Sequence, residues 1–164
     1  MILVALGSNL PHPLHGAPRQ VCEAALARLA EEGVPVRRRS SWYASAPVPA
    51  SDQPWFVNGV ADVAFEGGPA ALLARLHEVE RAFGRERTCR NAARVLDIDL
   101  LDFDGVVTGP DAALRLPHPR LQDRGFVLLP LREVAPGWRH PVSGRSVDDL
   151  IRDLPPGQTA ARLV

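Results

Sequence analysis

The sequence contains no lysine; all 19 basic side chains are arginine, balanced by 19 Asp and Glu for a formal net charge of zero. Balanced charge excludes the broad electrostatic attraction that draws proteins to nucleic acid or anionic membrane. The missing lysine excludes a Walker A phosphate loop, which depends on one, so any phosphate handling falls to arginine, metal or backbone amides. There is no G-x-G-x-x-G, and a dinucleotide-binding Rossmann reading has no fingerprint. Cysteine is scarce: Cys22 and Cys89 form no metal or redox motif, and the expectation is a reduced, cytoplasmic setting. No window approaches the roughly 18 apolar residues of a membrane span. The opening run Met1–Leu6 is short for a signal h-region and has no basic residues before it, so no secretory signal is expected.

What is present fits one ordinary globular domain. The chain has 164 residues, 46% apolar and 23% charged, a length that supports a single substantial core. Ile2–Leu6 reads as a buried strand ending in a turn at Gly7-Ser8-Asn9. A helix is expected from Pro18, with Val21, Ala25 and Leu29 on one face and Gly33 as its stop. Val36–Tyr43 reads as a strand, and Ala46–Pro54, with three prolines, as an extended loop. Phe56–Phe65 alternates as a strand should. Leu72, Leu76, Val79 and Phe83 mark the stripe of a second helix that Gly84 stops. A polar loop over Arg85–Ala93 leads to a strand over Val95–Phe103, then a loop over Pro117–Arg124. A helix over Phe126–Val134 follows, interrupted or bent near Pro130. Ser146–Asp149 resembles a capping box before Leu150 and Ile151. The order β-α-β-β-α-β predicts an α+β fold: a ferredoxin-like core, a mainly antiparallel sheet with packed helices, and helical additions at the end.

Four constellations carry chemistry. In the strand Val95–Phe103, Asp97 and Asp99 share one face, about 7 Å apart, while Leu96, Ile98 and Leu100 take the other. Two carboxylates so placed repel unless solvated or neutralised, and Mg²⁺ bridging a polyphosphate would neutralise them; a solvated sheet edge would carry the same pair. Arg81, Arg85, Arg87, Arg90 and Arg94 precede them, suited to the charge of a transferring phosphoryl group, though Glu78, Glu80 and Glu86 also balance them. His118 stands between Pro117 and Pro119 ahead of Arg124, where it meets a phosphate or a ribose, or serves only the loop. Trp42, Tyr43, Trp55, Phe56 and Asn58 supply rings and an amide to hold a flat heterocycle, or simply pack a strand end.

Together these pieces resemble the 6-hydroxymethyl-7,8-dihydropterin pyrophosphokinase family over nearly the whole chain. The strongest match is Arg90–Leu101, similar to a signature of Arg, two residues, Asp, aliphatic, Asp and two aliphatics. Gly7-Ser8-Asn9-Leu10, Asp52-Gln53-Pro54 with Asn58, Glu80 with Gly84-Arg85, and Pro117-His118-Pro119 with Arg124-Gly125-Phe126 follow in the family's order. The resemblance implies that ATP gives its diphosphate to the hydroxymethyl group of the pterin and leaves as AMP. It implies that Asp97 and Asp99 bind two Mg²⁺ ions and that Arg85 and Arg94 stabilise the transferring group. His77, Glu80, Arg87, His118 and Arg124 would meet the nucleotide. Phe56 and Phe126 would sandwich the pterin, Asn58 would read its edge, and Ser45 and Val48 would line its pocket. A monomer acting on small molecules, without nucleic acid or membrane, is the expectation. Three features depart from the family pattern: Asn91-Ala92-Ala93 replaces Trp-Gly-Pro, Ala46 interrupts a proline pair, and Phe56 stands for Tyr. Another Mg²⁺-dependent phosphoryl enzyme would use the same Asp pair without the Phe56, Asn58 and Phe126 pocket. A non-catalytic ferredoxin-like binding module has no need of paired acids.

Overall fold

The computed structural model describes residues 1–84 and 93–164. In chain order these form β1 (Ile2–Ser8), α1 (Pro18–Glu31), β2 (Val36–Arg39), β3 (Tyr43–Ser45), β4 (Phe56–Val63), α2 (Pro69–Ala82), β5 (Asp97–Phe103), a 3₁₀ turn (Leu121–Asp123), α3 (Gly125–Val134), α4 (Val147–Arg152) and β6 (Ala161–Arg162). The sheet runs β5-β1-β4-β3-β6, with β2 also on β4, and the pairings are antiparallel. With β2 and β3 counted as one broken strand, the order of the four core strands is last, first, third, second. That is the ferredoxin-like arrangement the sequence predicts.

β1 lies at the centre and is apolar on both faces. On one side Val4 and Leu6 meet the stripes of α1 (Val21, Ala25, Leu29) and α2 (Leu72, Leu76, Val79). On the other, Leu3 meets Leu128 and Leu131 of α3 and Leu150 of α4. Each buried leucine contributes roughly 2 kcal/mol relative to exposure. The helical ion pairs Arg19–Glu23 and Arg28–Glu32 are surface contacts, worth about 0.3–0.5 kcal/mol each. Burial on the two sheet faces, not charge pairing, therefore holds the layers together.

Several boundaries differ from the periodicity. β1 continues through Gly7 and Ser8 because Gly7 pairs with Asn58 and Asp97 and Ser8 with Val57, so the expected turn begins later. Residues 36–43 split into β2 and β3. Between them Ser40 N–H donates to the Val60 carbonyl, and Ser40 Oγ accepts from Val60 N–H. A side chain thus replaces a ladder partner, and the strand breaks. β4 ends at Val63 and β5 begins at Asp97, each two residues inside the expected limits. In β5 the register slips, with Leu3 opposite Asp102 and Val4 opposite Leu100. This bulge keeps Asp102 on the α3 side, where it accepts from Trp138 Nε1–H at 2.9 Å. α3 runs as one helix through Pro130, which forgoes the N–H bond that residue would otherwise donate. Ser146 caps α4 as its motif predicts, its Oγ accepting from Asp149 N–H at 3.1 Å. β6 has no sequence signal; it docks on β3.

Candidate active site

The floor of the main cleft is made by small residues of β1. Gly7 pairs with Asn58 of β4 on one side and Asp97 of β5 on the other, and Ala5 with Val60 and Asp99. Gly7, Ala5, Asn58, Asp97 and Asp99 all line the cleft. Period-two alternation puts these side chains on the face that α3 covers further along. Gly7 keeps the floor open: a Cβ there would lie 3.0 Å from Asn58 Oδ1, close enough that the amide would have to give way.

The two carboxylates sit at one end of this floor, each beside cationic chemistry. Arg94 Nη1 donates to Asp97 Oδ2 at 2.8 Å, with the two side chains 25% and 21% exposed. Arg124 Nη1 lies 3.8 Å from Asp99 Oδ2, and its guanidinium stands over the Phe126 ring at 5.6 Å, a favourable cation–π placement. Burial draws the Arg124 guanidinium below its ordinary pKa, with Asp99 acting against the shift. His118 Nε2 is 3.9 Å from Asp99 Oδ2. Burial, then the neighbouring Arg124, pull its pKa down to about 4, so near neutrality the imidazole is uncharged and this approach is not an ion pair. His118 Nδ1 accepts from Arg120 N–H at 3.1 Å. The neutral ring therefore carries its proton on Nε2, the nitrogen facing the carboxylates.

The other end suits a flat ring. Phe56 and Phe126, both half-buried, line the cleft with Ser45, Val48 and Asn58. Asn58 Nδ2–H donates to Ser45 Oγ at 2.6 Å, which fixes the amide's orientation. The rest of the aromatic set serves elsewhere. Trp42 is buried and donates to Glu23, Tyr43 donates from its hydroxyl to Glu133 at 2.7 Å, and Trp55 is exposed.

Two expected nucleotide contacts stand apart from this lining. Glu80 is buried in α2, where its carboxylate accepts from Ile98 N–H at 3.1 Å; it braces the backbone between the two aspartates. His77, three residues earlier on α2, is half-buried. Arg85 and Arg87, with Arg90 and Asn91-Ala92, lie outside the described residues. Among the described residues no group of three or more His, Cys, Asp or Glu is arranged to hold a metal alone. Mg²⁺ suits such a site, because it binds through one or two carboxylates and completes its shell with water and phosphate. Asn9 is the contributor with the least individual signal. It is buried, and it bonds both Arg94 and the end of the proline-rich loop; only its place in the Gly-Ser-Asn run marked it.

Comparison with known proteins identifies a family. A family model described as 7,8-dihydro-6-hydroxymethylpterin-pyrophosphokinase matches residues 3–136. A Pseudomonas aeruginosa protein named 2-amino-4-hydroxy-6-hydroxymethyldihydropteridine pyrophosphokinase is 40% identical over 158 residues, covering 94% of this chain and 91% of its own. A Synechocystis protein of the same name is 38% identical over 152 residues, covering 93% of this chain and 75% of its own. Among solved structures, Plasmodium falciparum HPPK-DHPS with pteroate superposes with a TM-score of 0.68 at 13% identity. That likeness covers 92% of this chain but only 41% of the larger one, and it speaks to fold alone.

Proposed function

The chain belongs to the 7,8-dihydro-6-hydroxymethylpterin-pyrophosphokinase family, and on that footing we propose how its cleft performs the family's step in folate biosynthesis. In that step the diphosphate of ATP passes to the hydroxymethyl group of 6-hydroxymethyl-7,8-dihydropterin, and AMP is released. One observation carries the assignment of roles: Asn58, Gly7 and Asp97 stand in register on three neighbouring strands. A ring-reading amide and a phosphate-directed carboxylate thus share one floor.

Phe56 and Phe126 hold the pterin between their faces, Asn58 reads its polar edge, and Ser45 and Val48 close its side. Asp97 and Asp99 would hold two Mg²⁺ ions, which would supply positive charge against the phosphate oxygens. Arg94 and Arg124 present guanidinium groups to the polyphosphate, and neutral His118 donates from Nε2–H to a phosphate oxygen. Arg85 and Arg87 keep the transferring-group and nucleotide roles that the resemblance implies. The hydroxymethyl oxygen bonds to the β-phosphorus as the bond from that phosphorus to the bridging oxygen of AMP breaks, and the hydroxyl proton is released to solvent. Catalysis is then chiefly alignment and charge stabilisation. The 164 residues are taken as one pyrophosphokinase domain acting as a cytoplasmic monomer. None of the described helices is long and apolar enough to cross a membrane.

The test is an incubation with ATP, Mg²⁺ and hydroxymethyl-dihydropterin, followed by identification of the nucleotide product. Pterin-dependent AMP is expected. ADP, or nucleotide turnover indifferent to the pterin, would sink the assignment.

A further inference from the structure

Asn9 follows β1 directly and is 1% exposed. A turn asparagine ordinarily bonds to backbone within a few residues of itself, but Asn9 reaches across the fold. Its backbone N–H donates to the Arg94 carbonyl at 3.0 Å, and its Oδ1 accepts from Arg94 N–H at 2.8 Å, 85 residues away. The Arg94 backbone is thereby gripped at both its donor and its acceptor. The Nδ2 group donates to Gln53 Oε1 and to the Pro54 carbonyl, each at 3.1 Å. Both amide donors and the amide oxygen are therefore engaged, away from water, by two separate parts of the cleft.

Those parts matter to different substrates. Gln53 and Pro54 end the proline-rich segment whose Pro47, Val48 and Pro49 line the cleft beside Phe56. Arg94 carries the guanidinium that pairs with Asp97. We propose that Asn9 is a positioning residue for diphosphate transfer, tying the segment 46–54 to the backbone of Arg94. A pterin that settles against the segment then also fixes where the Arg94 guanidinium stands. This rests on the function proposed above and assigns Asn9 no contact with either substrate.

Asn9→Asp tests the link with little change of shape. It keeps an acceptor for Arg94 N–H but places a carboxylate oxygen against the Pro54 carbonyl, which cannot donate. Gln53→Ala cuts one strut without altering the end of β1, and decides the matter if Asn9→Asp does not fold. Misplacing a reacting group by about 1 Å can cost about 10²-fold in rate, so Asn9→Asp should lower kcat by that order while KM for ATP stays within about threefold. In the substrate-free protein, amide hydrogen exchange should rise together in residues 46–55 and 94–97, with Gln53→Ala giving the same pattern more weakly. Loosening of 46–55 while the Arg94 amide stays as protected as in the wild type overturns the proposal. So does a folded Asn9→Asp protein with undiminished kcat. The exchange measurement needs no turnover, so an inactive wild-type chain would count against the proposed function while exchange still decides the role of Asn9.

Discussion

Arg94, three residues ahead of β5, and Asp97, the first residue of that strand, are joined at 2.8 Å, so the cation expected on the phosphates and a carboxylate expected on the metal neutralise each other in the free protein. Both are partly exposed, and such a pair is worth about 0–1 kcal/mol. Arg94→Ala should therefore leave the thermal midpoint nearly unchanged. Turnover should fall about 10²–10³-fold, the loss seen when one preorganised transition-state donor is removed. Titration with a non-hydrolysable ATP analogue should show only a few-fold weaker binding. Arg94→Lys should recover little, since an ammonium cannot offer a two-pronged fork. Equal losses in binding and turnover would reduce Arg94 to a binding residue.

Asp97→Asn and Asp99→Asn should each lower turnover by at least about 10²-fold, the several kcal/mol that a bound metal supplies. Neither should unfold the protein, because each removes one of two like charges on a single strand face. Activity as a function of Mg²⁺, beside thermal melts, checks this. Unfolding in both variants would mean that the pair is structural.

Gly7→Ala should act through Asn58. The new Cβ would stand 3.0 Å from Asn58 Oδ1, so the amide must shift by a few tenths of an ångström within its bond to Ser45. Pterin affinity should weaken by about tenfold, or 1.4 kcal/mol, with KM for ATP little changed. Calorimetric titration of a pterin analogue in wild type and variant measures the difference directly.

The metal-free protein should lose stability on mild acidification. Burial holds His118 near pKa 4 in the fold, against about 6.5 when unfolded. Between those values the unfolded chain takes up a proton that the folded chain refuses. Stability is then fully present above pH 6.5 and declines as pH falls towards 4, by on the order of 1–3 kcal/mol. Burial depresses His140 in the same direction, so it adds to the slope. Urea unfolding at several pH values should show the decline, and His118→Gln should flatten it. A His118 imidazole titrating near pH 6.5 by NMR would contradict the burial argument.

Elements with a strong apolar period were legible in the sequence: the stripes of α1 and α2, the centre of β1, and the capped start of α4. The break at Ser40, the bulge at Leu101 and the two-residue β6 were not, because each depends on a partner distant in the chain. The cleft divides in the same way. Asp97, Asp99, Asn58, Phe56 and Phe126 stood out through residue type, local spacing or family likeness, and the structure brings them into one cleft. Glu80 was expected near the nucleotide only through the family likeness. Its bond to Ile98 N–H is a tertiary fact without a local pattern. Asn9 is legible only as part of a short polar run, since its significance lies in partners 44, 45 and 85 residues away.

Asn58, Gly7 and Asp97 occupy adjacent strands, so two interstrand steps, about 10 Å, separate the ring-reading amide from the first carboxylate. Backbone hydrogen bonds set that interval, and no side-chain replacement alters it. Substitutions at either end change which ring or which anion is preferred. Only a slipped or inserted strand changes the distance at which ring and anion are held. The sheet thus works as a calliper: a ring whose hydroxyl arm is one or two carbons longer would still stack between the phenylalanines, yet would carry its oxygen past the point of transfer.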